Sequence, residues 1–465
     1  MYRYSVKEGL FMASDFSQGK VWKRIVYQAV PLALAQLVQL LYNIVDRIYI
    51  GHMPGVGSAA LTGVGLTFPI VSLIAAFTAL YSTGGTPLFS ISRGAGEDEK
   101  ARRIMGSTFT LLLSTSVVLT VLLLALKRPV MFLFGASESS YTYAGAYLTI
   151  YLQGTPLSML ATGMNGFINA QGFVRIGMLT TVIGALLNLV LDPLFIFALD
   201  MGVSGAALAT VLSQAVSCLW VLRFLTGRRV TFRLEKRIAR LYPELVGKIL
   251  SLGAAGFIMQ GTNFLVQAAC NTTLSQFGGD LYIGVMTVLS SVRSVLELPL
   301  SGLISGAQPV LGFNYGAKKY GRVREGIRFM TLCGMGYNVA AWILVLLFPQ
   351  ALIRVFSSDP QLIAVGPQAM RTYFFGFFFM SFQFAGQSVF QSLGFARQAI
   401  FFSLLRKAVI VVPLTLLLPH LGFGVSGVFM AEPISNVIGG LCSFTAMYFT
   451  VYRKLGRQDA ASDKA

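Results

Sequence analysis

The chain has 465 residues, of which 55% are hydrophobic and only 12% charged, and its mean hydropathy is +0.69. Soluble domains carry about 25% charged residues, so a water-soluble fold is excluded. The formal charge of +18 must then be read against a membrane before it is read against nucleic acid.

Apolar runs of about 18 residues or more recur along the chain, each long enough to cross a hydrocarbon layer of roughly 30 Å. The first 20 residues are polar and lack the apolar core and cleavage site of a signal peptide, which predicts that the first span is retained. Gly, Pro and charge clusters then mark twelve spans in order: 25–50, 59–91, 104–126, 141–169, 176–199, 203–222, 249–276, 281–312, 329–348, 362–391, 399–419 and 424–452. The expected fold is an all-α polytopic membrane protein. Residues 1–24 form an N-terminal segment, 25–222 a first lobe (spans 1–6), 223–248 a linker, 249–452 a second lobe (spans 7–12), and 453–465 a tail.

Lys and Arg fix the orientation. The segments on the side of the termini carry thirty, including Arg397, Arg406 and Lys407 around the start of span 11. The opposite face has three (Lys127, Arg128, Arg354), and three more (Arg47, Arg293, Arg371) fall within spans. The positive-inside rule places both termini in the cytoplasm. A basic balance dealt to every second loop serves topology and lipid headgroups, not nucleic acid. Four cysteines lie in or beside spans without metal-ligand spacing and read as packing residues.

The sequence repeats itself. "MGVSGAALAT" (201–210) recurs as "FGVSGVFMAE" (423–432), and "QGFVR" (171–175) as "LGFAR" (393–397), both at an offset of 222. The same offset relates Gly84 to Gly306, Pro87 to Pro309 and Gly154 to Gly376. Each repeat holds six spans, an even number, so both run in the same direction and should be related by an axis along the membrane normal around a central cavity.

Four acids lie within spans: Asp46, Asp192, Glu297 and Glu432. An ionised side chain in hydrocarbon costs about 2.5 kcal/mol or more, so each needs a partner, a proton or a cavity. Asn188 and Asp192 share a helix face at i,i+4. Pro193 follows and leaves the Leu189 carbonyl without its N–H donor. Asp192 precedes the turn near Met201 by nine residues and Thr210 follows it by nine, which sets both roughly 13 Å from the turn. With Asp46 near the outer end of span 1, these oxygens suit a proton shared by two carboxyls or a Na⁺ ion.

"YNIVDRIYIG" in span 1, "NLVLDPLFIF" in span 5, "GVSGAALATVLSQ" in span 6 and "GFNYGAKKYGRV" after span 8 resemble the multidrug and toxic compound extrusion (MATE) family over about residues 20–450, most closely its MepA/DinF-like branch. The resemblance implies two six-helix lobes and export of amphipathic, often cationic drugs by a monomer in a lipid bilayer, exchanged for H⁺ or Na⁺. It also implies that Asp46, Asn188, Asp192 and Thr210 form the coupling site, that Pro31 marks a helix that bends, and that Gln39, Tyr147 and Asn165 line the first lobe's cavity. The second repeat departs from the first. Asp46 maps to Ala268, Asn188 to Ile410 and Asp192 to Leu414, so coupling is expected in the first lobe alone. Thr210 maps to Glu432 and Asn165 to Gln387, which suggests that Glu432 faces the cavity and neutralises a cationic drug.

Arg293 and Glu297, at i,i+4, are expected to neutralise one another. The run "TYFFGFFFMSFQF" (372–384) must cover several helix faces, so most of its rings are expected to meet lipid or core. A lipid-linked precursor flippase or a metabolite transporter of the same superfamily is the alternative function. A flippase should carry a strongly basic cavity. No intramembrane His pair, nucleophile triad or metal spacing supports an enzyme, and no cofactor is expected beyond the coupling ion.

Overall fold

The computed structural model describes residues 15–462 apart from 54, 55, 135, 236 and 358; the expected N-terminal segment and tail therefore lie outside the described residues at 1–14 and 463–465. Helix dominates, and no strand occurs among the described residues. In hydrocarbon this is obligatory, because a helix satisfies its own backbone donors and acceptors.

Nine helical stretches among the described residues are long and apolar enough to cross a membrane. One of them, Ala396–Ala460, reverses at Gly422 (φ +94°) and Gly424 (φ +52°), and so holds both span 11 and span 12. Spans 4 and 10 are broken helices. The first is Glu138–Gln153 then Thr155–Ala170, and the second is Pro360–Tyr373 then Met380–Ser392. Their breaks fall at Gly154 and Gly376, the pair related by the offset of 222. The count of spans is therefore twelve.

The repeat is visible in the backbone. Gly172 (φ +93°) and Gly394 (φ +81°) turn the chain after spans 4 and 10, and Gly202 (φ +57°) and Gly424 (φ +52°) open spans 6 and 12. These φ values are reached without strain only by glycine.

Two compact units result: one holds Val30–Gly253, the other Gln18–Ala29 and Ala254 onward. Each unit takes the opening turns of the helix that begins the other repeat. In the first unit, a Cβ on Gly84 would sit 2.0 Å from the Ile249 carbonyl oxygen of span 7 (Pro243–Gly279). In the second, a Cβ on Gly306 would sit 2.5 Å from the Ala29 nitrogen of span 1 (Val21–Gly51). Both crossings depend on a bare backbone. The chain changes unit next to Pro31 in span 1 and at Gly253 in span 7, which are equivalent positions in the repeat.

The segment between spans 6 and 7 belongs to the first unit. Phe232, Leu234 and Ile238 are buried in its core, and Phe89 meets Phe167 and Phe232 edge-on at 5.3 Å each. Gln171 pins the segment by donating from Nε2 to the Phe232 carbonyl (3.2 Å) and accepting from the Phe232 N–H (3.0 Å).

Candidate functional site

Four elements of the first unit converge on one polar cluster. Span 5 (Val174–Pro193) presents Asn188 and Asp192 on one face. The Asn188 amide donates to Asp192 Oδ1 at 3.1 Å and to Thr210 Oγ1 of span 6 (Gly202–Thr226) at 3.4 Å. The Thr210 hydroxyl donates in turn to the Ala206 carbonyl at 3.0 Å. Asp192 is 1% exposed and Asn188 2%. Asp46, from span 1, meets Asp192 carboxyl to carboxyl within hydrogen-bonding reach. Directly after Pro193 the helix widens into a π-turn, Leu194–Ala198; such widened turns recur at functional sites.

Asp46 Oδ1, Asp192 Oδ2 and Asn188 Oδ1 are buried without a hydrogen-bond partner. All three are acceptors. A cluster rich in unmatched acceptors and poor in donors can hold a proton or a hard cation. The donor set fits either. No group of three or more His, Cys, Asp or Glu placed to hold a metal ion together occurs among the described residues.

Tyrosines close the cluster. Tyr147, 7% exposed, lies beside Thr210 and stacks on Tyr151 at 5.7 Å. Tyr42 lies close to both aspartates and to Gln39. The sequence reading missed Tyr42, although it stands four residues before Asp46 and so on the same helix face. Asn165 is not brought to the acids: its amide donates to the Gly177 carbonyl at 3.1 Å and ties span 4 to the start of span 5.

The second unit holds a different cluster. Glu432 on span 12 (Gly424–Met447) is 5% exposed. Its Oε1 accepts from Arg293 Nη1, from Arg406 Nη2 at 2.7 Å and from Lys407 Nζ at 3.4 Å. Arg293 also donates to Glu297 at 2.5 Å and to the Tyr373 hydroxyl at 3.0 Å. This geometry corrects two expectations and widens a third. Glu432 does not stand free for a cationic drug, because three protein cations already surround its charge. Arg293 and Glu297 do pair, but inside a network of five charged residues and the Tyr373 hydroxyl. Arg406 and Lys407 do not belong to the cytoplasmic face, since Arg406 is 7% exposed at the centre of this network. Removing both from the orientation tally leaves twenty-eight against three, and the topological argument stands. Gln387 is buried beside the network, donating to Ser403 at 2.6 Å and accepting from Gln383 at 3.3 Å.

The phenylalanine run divides as its density requires. Phe374 and Phe377 are buried against each other at 5.2 Å, while Phe375 is 63% exposed. The four cysteines are unpaired.

Two parallel six-span repeats, with an acidic cluster in only one of them, define a polytopic membrane protein of the transporter kind. A family model described as MatE matches residues 31–194 and 257–417, one stretch in each repeat. The chain belongs to the MatE family. It is 24% identical over 437 residues to the multidrug export protein MepA of Staphylococcus haemolyticus, covering 94% of each chain. It is 23% identical over 434 residues to MepA of Staphylococcus aureus strain MW2, covering 93% of this chain and 94% of that one. Among solved structures it resembles a MATE protein in the bent conformation (TM-score 0.89, 24% identity, 97% of this chain and 100% of that one). The outward-facing conformation of a multidrug resistance MATE family transporter of the MOP superfamily matches with TM-score 0.89 and 24% identity over 98% of this chain and 100% of that one.

Proposed function

We propose that this protein is a multidrug efflux antiporter of the bacterial plasma membrane. It exports amphipathic, often cationic compounds in exchange for protons, by alternating access of its two repeats and with both termini in the cytoplasm. The single observation that supports coupling in the first unit is the Asp46–Asp192 contact with its ring of unmatched acceptors. Two carboxylates in contact cannot both be ionised at low cost, so the pair titrates as a unit and holds one proton between them. That contact favours H⁺ over Na⁺, which would have to separate the carboxyls and surround itself with oxygens.

The cycle follows from this. Proton binding to the pair removes a buried charge. It also changes which of span 1 and span 5 the shared hydrogen bonds hold together. Pro31 stands where span 1 leaves one unit for the other, so a bend there would transmit the change. Tyr42 and Tyr147 supply aromatic faces beside the acids for a flat cation.

Proteoliposomes carrying a dye-like organic cation test this reading. An imposed pH gradient should drive export in wild type, a sodium gradient should not, and Asp192→Asn should lower the pH-driven rate at least ~10-fold (about 1.4 kcal/mol). Asn at this position keeps an acceptor for Asn188, so folding is retained. Transport indifferent to both gradients would end the antiporter reading.

A further inference from the structure

A second-unit cation stands beside an open groove. Arg371 is exposed and, among the described residues, forms no ion pair. It lines a cavity of about 560 Å³ with Phe375 of span 10 and Met430, Pro433, Ile434, Val437 and Ile438 of span 12. The span 12 residues fall at i, i+3, i+4, i+7 and i+8, a single helical stripe. Glu432, Asn436 and Ser443, all buried, occupy the opposite stripe. The groove therefore opens away from the polar interior of this unit, where Phe375 and Ile438 are 63% and 45% exposed, and meets hydrocarbon. Thr372, also at the cavity, donates its hydroxyl to the Gln368 carbonyl at 3.1 Å. The guanidinium is thus the polar side-chain group that the cavity offers a ligand.

The repeat explains why the groove lies in this unit. In the first unit the equivalent crossing is closed: a Cβ on Gly154 would sit 2.5 Å from Val211 Cγ2. Gly376 and Pro433 hold those two positions in the second. There a Cβ on Gly376 would come no nearer to span 12 than 3.7 Å, at Val437. The break itself is longer. It is the single residue Gly154 in span 4, but runs over 374–379 in span 10 and includes the tight turn Phe377–Phe379. The cation has a counterpart too. Arg371 corresponds to Thr149, whose hydroxyl accepts from Lys127 Nζ at 2.7 Å. Lys127 directly follows the apolar run of span 3 (104–126), which places this shared position near the edge of the hydrocarbon. Lys127 itself corresponds to Pro349. The second unit thus carries its cation on span 10 instead, without the hydroxyl that receives it in the first.

We propose that this groove binds one anionic phospholipid, its phosphate on Arg371 and an acyl chain laid between spans 10 and 12 at the break. Charge complementarity selects the occupant. A guanidinium at the edge of hydrocarbon needs a counter-charge, and a phosphate presents two oxygens to its planar donor fork. A phospholipid carries that phosphate at the interface and its chain in the apolar layer, which is how the groove is arranged. A zwitterionic lipid brings an ammonium of its own to compete for the phosphate, so a net-anionic headgroup is preferred. The chain fills the gap that Val211 closes in the first unit, and so steadies the broken span 10 against span 12. The site is independent of which compounds are exported and of the ion that drives them.

Native mass spectrometry of the full-length protein, titrated with phosphatidylglycerol, phosphatidylcholine or glycerol phosphate, tests the site. Wild type should bind one phosphatidylglycerol at least ~10-fold more tightly than phosphatidylcholine, as one charge-assisted bond implies, and should not retain glycerol phosphate. Arg371→Gln should abolish the preference and Arg371→Lys should keep most of it. Ile438→Trp, which fills the groove and leaves the cation, should weaken binding of both lipids. Arg354→Gln removes another exposed cation, on the short helix Pro349–Phe356, and should change nothing. Thermal unfolding gives a second readout: phosphatidylglycerol should raise the midpoint of wild type and not that of Arg371→Gln. A preference that survives Arg371→Gln, or that Arg354→Gln removes equally, overturns the proposal. Glycerol phosphate bound as tightly as the lipid also overturns it, since the site would then take a free anion and the groove would have no part.

Discussion

The two units share a frame and oppose each other in charge. Their breaks at Gly154 and Gly376 and their turns at Gly172 and Gly394 coincide at one offset. Their interiors do not. The first unit gathers Asp46 and Asp192 from spans 1 and 5 with buried acceptors to spare. The second gathers Arg293, Arg406 and Lys407 from spans 8 and 11 around Glu432. At the equivalent positions the first unit has Val71, Gly184, Ala185 and Thr210. None of the charges is thus required by the fold, since each repeat folds without the other's set. The shared features are backbone features; the differing ones are chemistry placed on that backbone.

The largest test of this contrast is Glu432→Gln. Removing one partner from a buried ion network leaves the others uncompensated and typically costs about 3–5 kcal/mol. Thermal unfolding in detergent should therefore show a large loss of stability. Arg406→Gln combined with Glu432→Gln should recover part of that loss. If Glu432→Gln melts like wild type and loses only cation export, Glu432 is a drug-facing acid after all and the two units are less different than their geometry says.

The frame has its own test, of intermediate size. Gly84→Val and Gly306→Val each force a side chain onto the backbone of a crossing helix, at Ile249 and Ala29. Overpacking of this kind costs typically about 1–3 kcal/mol. The two variants should be destabilised to a similar extent, because these crossings are equivalent in the two repeats. A large inequality in their melting temperatures would mean that the pseudo-symmetry of the backbone does not extend to its energetics.

Much of this architecture was legible in the sequence for physical reasons. Hydrocarbon permits few ways to satisfy a backbone, so apolar runs translate directly into spans, and Gly and Pro into their breaks. The cluster of Asn188, Asp192 and Thr210 was legible because helical periodicity and a tight turn fix face and depth from spacing alone. The second unit's network was not. Arg406 and Lys407 follow Arg397 closely and looked like part of a cytoplasmic basic patch; only the packing of span 11 against Glu432 carries them inward. Pairwise contacts between distant spans leave no periodic trace. Tyr42 is the intermediate case, since its i,i+4 relation to Asp46 was present in the sequence but its closeness to Asp192 was not.

The smallest effect separates the two ions that the first unit could use. Thr210 contributes one hydroxyl, which accepts from Asn188 at 3.4 Å and donates to the Ala206 carbonyl at 3.0 Å. Thr210→Val removes both contacts while keeping the shape, at a cost of about 1 kcal/mol. A proton shared by Asp46 and Asp192 does not need that oxygen, so pH-driven export by Thr210→Val should stay within about threefold of wild type. Sodium would need it, because losing one of few oxygen ligands weakens a hard-cation site directly. A tenfold or greater loss, relieved by raising external sodium, would therefore transfer the coupling from the carboxyl pair to a cation held by all four residues. Thr210 also occupies the position that Glu432 fills in the second unit. If replacing its hydroxyl changes little, the acidic unit works through its two carboxyls, and Thr210 contributes little beyond packing to coupling.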